Sequence, residues 1–183
     1  MTQPLLYLSR ADVEAVGLPM REIIDILEQA FREKGEGRIE MPRPDAFIHA
    51  MPAYIPALHA IGVKWVSGDP ENQKRGLPYI SGLLILNDDE TGLPLAVMDC
   101  TWITAKRTGA ATALAAKYLA RPESETVGIL GCGVQGRSNL EALRAIFPVR
   151  RVLAYDTLPE ARERFAREAA AAGVPEVIEA QEA

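Results

Sequence analysis

The chain has 183 residues, of which 48% are hydrophobic, and it carries a formal net charge of −5. This length can bury one good core or two small ones, and the acidic balance without a Lys/Arg cluster argues against nucleic-acid partners. No apolar run reaches the ~18 residues of a membrane span and the first residues lack a signal pattern, so we expect neither a membrane segment nor a secretory signal. Cys100 and Cys132 alone cannot build a disulfide framework or a zinc site, so we expect no metal and a reducing, cytoplasmic setting.

Residues 1–122 are predicted to mix helices and strands. Apolar residues at helical spacing between glycines predict helices over Arg10–Val16 and from Pro19 to about Lys34, and prolines on both sides of Arg43 keep it in an extended segment. Four strands rich in β-branched and aliphatic residues follow, at Phe47–Met51, Leu58–Val66, Tyr79–Leu86 and Leu95–Met98.

The connections between these strands differ in character. A turn at Asn87–Gly92 predicts a hairpin, whereas the long polar loop Ser67–Pro78 is of a kind that is more often functional than accidental. Thr101 is predicted to cap a helix that runs to about Ala120. Because that helix is rich in alanine and other small residues, we expect it to be tightly packed and buried.

After a linker at Arg121–Glu125 the pattern changes to alternating strands and helices. Strands are predicted at 126–130 and 151–155, helices at 134–146 and 158–172, and the start of a third strand at Val177 and Ile178. The sequence therefore predicts an α/β fold with two domains, a mixed α+β domain over 1–122 and an incomplete doubly wound parallel (Rossmann) domain over 123–183. Because a complete domain of the second kind has about six strands, we expect the chain to be a fragment or a truncated gene product.

The pattern Gly131-x-Gly133-x-x-Gly136 lies between a predicted strand and a predicted helix, and Asp156 follows at the end of the next strand. In a dinucleotide site the first glycine allows a tight turn, the second lets the backbone approach the pyrophosphate, and the third lets the helix pack closely. An acid at this position accepts hydrogen bonds from the ribose hydroxyls and repels a 2′-phosphate, which favours NAD over NADP.

The helix after this loop provides the phosphate contacts. The backbone amides of Val134 and Gln135 follow the second glycine, and a helix N-terminus offers unpaired N–H groups with a partial positive charge. The alternative is a structural strand–turn–helix connection that binds no ligand.

Five stretches, the glycine loop among them, carry a resemblance to a known family. They are Gly62–Gly68, Asn87–Asp99, Thr104–Gly109, Ala115–Arg121 and Gly131–Gly136. Together, in this order and spacing, the chain from about residue 40 to 156 resembles the ornithine cyclodeaminase/mu-crystallin family. The lysine strand and the Thr-Ala-Lys-Arg-Thr helix start are much more specific than the glycine loop.

The resemblance implies hydride transfer between NAD and the α-carbon of an amino acid or its imine. In the cyclodeaminase version an amino acid such as ornithine is oxidised, a side-chain amine attacks, ammonia leaves, and the returning hydride gives a cyclic imino acid such as proline. Alanine dehydrogenases and ketimine or pyrroline-2-carboxylate reductases are alternatives within the family, and a non-catalytic binding protein like mu-crystallin is another. The resemblance also implies that residues 1–122 bind the substrate and form a homodimer.

Specific residues acquire roles from the resemblance. Arg43, Lys64 and Arg107 match residues that bind the substrate carboxylate, and Lys64 is the candidate for proton transfer. Arg107 and Thr108 also match cofactor contacts, while Tyr79 stands near the nicotinamide where many relatives carry threonine. From the residues alone, Arg43 could be a solvated loop arginine, Arg107 could be an exposed arginine on an alanine-rich helix, and Lys64 could lie on the wet face of an alternating strand.

One expected residue is missing from the sequence. The family's aspartate general acid/base comes from the later part of the dinucleotide domain, beyond Ala183. We therefore expect the 183-residue chain by itself to be inactive.

Overall fold

The computed structural model describes residues 46–181, together with the isolated residues Ala15 and Glu36. The chain divides into two compact units, Met1–Ala46 and Phe47–Ala183. Ala15 is helical, as the helix predicted over Arg10–Val16 requires, and the other residues of both helices expected before residue 35 and the extended segment around Arg43 lie outside the described residues. The division of function at residue 122 stays a prediction.

The second unit begins with an antiparallel sheet, as the four strand patterns predict. Its strands lie in chain order, and each pairs antiparallel with the next: β1 (Phe47–Ile55), β2 (Ala60–Gly68), β3 (Ile80–Asn87) and β4 (Pro94–Asp99). The predicted start of β2 at Leu58 is two residues early, because Pro56–Leu58 form a 3-10 turn and His59 takes a left-handed φ of 48°. Tyr79 lies just before β3 rather than within it.

The polar loop before β3 contains an element that the sequence did not predict. Residues Glu71–Lys74 form a short helix, α1, and the Glu71 N–H donates to the Asp69 carboxylate at 2.9 Å. Four residues are too few to show helical periodicity, so only the acid before the turn could have signalled it.

Helix α2 (Thr101–Leu119) follows the sheet, but two expectations about it were wrong. Cys100, not Thr101, is the N-cap residue, and the Asp99 carboxylate accepts the Thr101 N–H at 3.0 Å. Nor is the helix buried all round, since only Thr104, Gly109 and Ala113 are buried and Leu119 is 86% exposed. Small residues here let a single face approach its neighbour closely.

The rest of the unit is a parallel sheet with two helices, and the third strand is present as predicted. The order is β5-β6-β7, and the elements are β5 (Thr126–Leu130), α3 (Val134–Arg144), β6 (Arg151–Tyr155), α4 (Pro159–Ala171) and β7 (Glu176–Glu179). A core that includes Ile129, Val152 and Phe165 lies between these strands and helices. One antiparallel and one parallel sheet confirm the predicted α/β class. No helix in the described part of the chain is long and apolar enough to cross a membrane.

Candidate functional site

The glycine loop between β5 and α3 is held to the next strand. Gly131 takes a φ of 94°, which favours glycine, and its N–H donates to the Tyr155 carbonyl at 2.8 Å. A Cβ on Gly136 would lie 2.2 Å from the Gly131 carbonyl oxygen, so only glycine lets the helix start this close to the turn. These two glycines are therefore required by the fold itself.

Gly133 differs, because the fold does not need a glycine there. Its φ of −77° suits any residue, and a Cβ would meet no heavy atom of the described chain within 4 Å. The first helical bond runs from the Arg137 N–H to the Gly133 carbonyl at 3.2 Å, so the amides of Val134 and Gln135 have no partner within the helix. Open space beside free amide donors is a cradle that fits a pyrophosphate.

Asp156 closes the site from the end of β6. One carboxylate oxygen accepts the Cys132 N–H at 2.7 Å and the other accepts the Leu158 N–H at 2.9 Å. The bonds from Leu158 and Cys132, with a smaller contribution from the positive charge of Arg162, lower the pKa of Asp156. Because each oxygen has two lone pairs, the ionised carboxylate keeps acceptor capacity for ribose hydroxyls.

Cys132 lies inside the loop as a small buried filler. Its sulfur is fully buried and lies 3.5 Å from the Tyr155 carbonyl oxygen. Burial, and then the negative charge of Asp156, raise the pKa of the Cys132 thiol. The thiol is therefore protonated at neutral pH, which makes it a poor nucleophile.

The contacts of Asp156 predict an acid-sensitive contribution to stability. Because its folded-state pKa is lowered, this contribution is present above the usual carboxyl pKa of about 3.9 and is lost as pH falls through the lowered value. We expect Asp156→Asn to reduce the free energy of unfolding by about 1–3 kcal/mol at neutral pH, since the amide replaces one acceptor by a donor. Urea unfolding of both proteins should show the difference shrinking below about pH 4. A difference that stays constant with pH would contradict this account.

Lys64 lies on the inner face of the antiparallel sheet, and not on the wet face that alternation also allowed. It shares that face with Val66, which is 5% exposed, while Trp65 on the opposite face is 51% exposed. Burial, and then the positive charge of Arg107 on α2, lower the pKa of the Lys64 ammonium. The fold thus brings two predicted carboxylate-binding cations within electrostatic range.

Helix α2 is tied to the helix that follows the glycine loop. A Cβ on Gly109 would lie 2.3 Å from the Ser138 carbonyl oxygen, and Lys106 forms an ion pair with Glu141 of α3. This contact fixes the helix of Arg107 and Thr108 against the first turns of α3. The packing role of Gly109 was not predicted from the sequence, although a glycine inside an alanine-rich helix is a signal for such a role.

Other predicted site residues are not brought together in the described part of the chain. Thr108 donates its hydroxyl to the Thr104 carbonyl at 2.7 Å, a contact within its own helix. Tyr79 is 39% exposed, and its carbonyl accepts the Asp69 N–H at 3.0 Å. Arg43 lies outside the described residues. Within the described residues, no group of three or more His, Cys, Asp or Glu could hold a metal ion.

The comparisons with known proteins agree with this geometry. The model of the ornithine cyclodeaminase/mu-crystallin family matches residues 5–183. The chain belongs to this family. It is 36% identical over 151 residues to the ornithine cyclodeaminase of Agrobacterium fabrum, covering 80% of this chain and 42% of that protein.

Two solved structures share the family fold. An archaeal alanine dehydrogenase dimer with bound NAD superposes with a TM-score of 0.71 and 38% identity, over 93% of this chain and 54% of the other. The Δ1-pyrroline-2-carboxylate reductase of Thermococcus litoralis, in complex with NADH and L-proline, superposes with a TM-score of 0.73 and 41% sequence identity. The match covers 97% of this chain and 58% of the reductase. The chain therefore spans about half the length of these relatives.

Proposed function

We propose that this family member is part of an NAD-dependent enzyme that acts at the α-carbon of an amino acid, of the ornithine cyclodeaminase type. The observation that carries the proposal is the glycine loop, in which Gly133 faces open space and Asp156 is locked onto the Cys132 amide. The bound NAD and NADH in the two solved relatives support the same cofactor here. Gly131, Gly136 and the amides of Val134 and Gln135 complete the proposed pyrophosphate contacts, with Asp156 on the ribose.

Lys64 and Arg107 are proposed to bind the substrate carboxylate, together with Arg43. Two cations within electrostatic range on packed elements repel each other, and a carboxylate between them relieves that repulsion. The carboxylate then fixes the α-carbon, which is a positioning contribution to catalysis. Bound NAD supplies the hydride acceptor, and Lys64, with its lowered pKa, is the candidate to exchange a proton with the substrate amine.

The remaining contacts complete the proposal. Arg107 and Thr108 are proposed to contact the cofactor from the helix that Gly109 holds against α3, and Tyr79 is proposed for the nicotinamide end. A homodimer is proposed because the archaeal alanine dehydrogenase relative is a dimer. A cytoplasmic location is proposed because both cysteines are free thiols.

Three activities of the family are separated by what each consumes and releases. A protein containing this chain is given L-ornithine and NAD, L-alanine and NAD, or pyrroline-2-carboxylate and NADH, while ammonia and nicotinamide absorbance are followed. A cyclodeaminase releases ammonia with no net change in NADH, a dehydrogenase releases ammonia with NADH, and a reductase consumes NADH without releasing ammonia. A mu-crystallin-like binding protein would bind NAD, as measured by calorimetry, and would turn over none of the three substrates.

We expect the 183-residue chain by itself to bind NAD without turnover, because the family's proton-transferring aspartate is expected outside it. Turnover by this chain would contradict that assignment. Absence of NAD binding would overturn the proposed function as a whole.

A further inference from the structure

An ion pair between Arg162 and Glu179 lies beside the proposed ribose site. Arg162, in the first turn of α4, has a side chain only 13% exposed, and its Nε lies 3.4 Å from a carboxylate oxygen of Glu179 on β7. Its Nη1 donates to the backbone carbonyl of Asp156 at 3.4 Å. The Arg162 guanidinium therefore lies next to Asp156, the residue proposed to bind the ribose, and it is paired with Glu179 on the neighbouring strand.

The position of the Arg162–Glu179 pair affects whether the site can bind a cofactor with a 2′-phosphate. Glu179 pairs in register with Ala154, close to the carboxyl end of β6 from which Asp156 emerges. A guanidinium beside the ribose is the group best suited to bind a 2′-phosphate, because it donates several hydrogen bonds in a planar fork. An acid that occupies this guanidinium withholds it from such a phosphate and adds its own negative charge to that of Asp156.

We propose that Glu179 is a specificity-determining residue that holds Arg162 in an ion pair and thereby makes the site reject a 2′-phosphorylated adenosine. This inference rests on the proposed function, since it assumes that the adenosine half of NAD binds at Asp156. Glu179 is a positioning residue that acts through Arg162, and Arg162 is a latent phosphate ligand.

The test compares two probes that need only the adenosine half of the site, AMP and adenosine 2′,5′-bisphosphate, by isothermal titration calorimetry on the whole chain. We expect Glu179→Gln to shift the ratio of the two dissociation constants toward the bisphosphate by about tenfold, through a charge-assisted bond from the freed Arg162. Glu179→Asp keeps the negative charge, so its ratio of the two dissociation constants should stay close to that of the wild type. The thermal melting of each variant checks that it is folded.

Glu176→Gln is the matched control, because it removes the same charge from the same strand. Glu176 pairs with Arg151 at 2.6 Å, at the opposite end of β7 from Glu179. The distance along the strand is about 10 Å, roughly a Debye length at 0.1 M salt, so the ratio should change by less than about twofold.

The double variant E179Q/R162M tests whether the gain in bisphosphate binding comes from the freed Arg162 or only from the loss of the Glu179 charge. It should lose the gain of E179Q, and a gain that persists in it would overturn the role of Arg162. An unchanged ratio in E179Q, with AMP still bound, would overturn this inference and leave the proposed function standing. Failure of the wild-type chain to bind NAD or AMP would instead overturn the proposed function.

Discussion

Gly136→Ala should destabilise the fold by at least about 2 kcal/mol, a large effect for the addition of one methyl group. The new Cβ would lie 2.2 Å from the Gly131 carbonyl oxygen and 3.1 Å from a methyl carbon of Ile129. Relief requires the first turn of α3 to move away from β5, and this also moves the amides that we assign to the pyrophosphate. Chemical denaturation measures the loss, and a variant as stable as the wild type would contradict the close packing at this turn.

Gly133→Ala is the matched substitution with the opposite expected outcome. Its Cβ meets no described heavy atom within 4 Å, so the stability cost should stay within about 1 kcal/mol, the usual loss when alanine replaces glycine at an N-cap. NAD binding should fall by about 100-fold or more, because the methyl group occupies the space proposed for the pyrophosphate. If G133A binds NAD as well as the wild type, the loop is a structural turn and the cofactor site lies elsewhere.

The contrast between these glycines shows how far the sequence could be read. The spacing of three glycines between an apolar strand and a helix predicts the loop, because a close helix start and a left-handed turn both exclude side chains. The sequence alone does not show that Gly131 and Gly136 serve the fold while Gly133 does not. That difference depends on the positive φ of Gly131, and on the Gly131 carbonyl oxygen and the Ile129 side chain that stand opposite Gly136.

Long-range partners account for most of what the sequence missed. Strand patterns located all four antiparallel strands, but the contact of Gly109 with Ser138 joins two helices separated by a linker and a strand. The pairing of Arg162 with Glu179 depends on β7 lying beside β6, which two apolar residues could only suggest. Such contacts follow from topology, which local periodicity does not encode.

The strand that carries Lys64 shows that a local pattern also cannot determine which face of a strand is buried. Alternation puts Lys64 on the face opposite Val63 and Trp65, and it permits that face to be either exposed or buried. The inner face is decided by Cys100 and α2, since the sulfur of Cys100 lies 3.0 Å from where a Cβ of Gly82 would be. A helix that follows the sheet in sequence therefore determines which strand face is covered.

Lys64→Met should make the protein more stable and less able to bind its substrate. The Lys64 ammonium is partly buried and lies within range of Arg107, and both effects lower its pKa. Its positive charge therefore opposes folding at every pH below the lowered folded-state pKa, and the opposition is relieved as pH rises through that value toward the usual lysine pKa. Methionine keeps the length and apolar stem without the charge, so we expect a gain of about 1 kcal/mol in the free energy of unfolding at neutral pH.

The same substitution removes one of the cations proposed for the carboxylate. Added L-ornithine, L-alanine or L-proline should then bind about 10–100-fold more weakly, the usual effect of losing a hydrogen bond to a charged group. Lys117→Met, at an exposed lysine in the last turn of α2, is the control and should change stability by less than about 0.5 kcal/mol. Denaturation at several pH values and calorimetry with the amino acids measure both effects. A Lys64→Met protein that is less stable at neutral pH would mean that Lys64 has a stabilising partner within the protein. Its ammonium would then already be paired and would not be available to bind a substrate carboxylate.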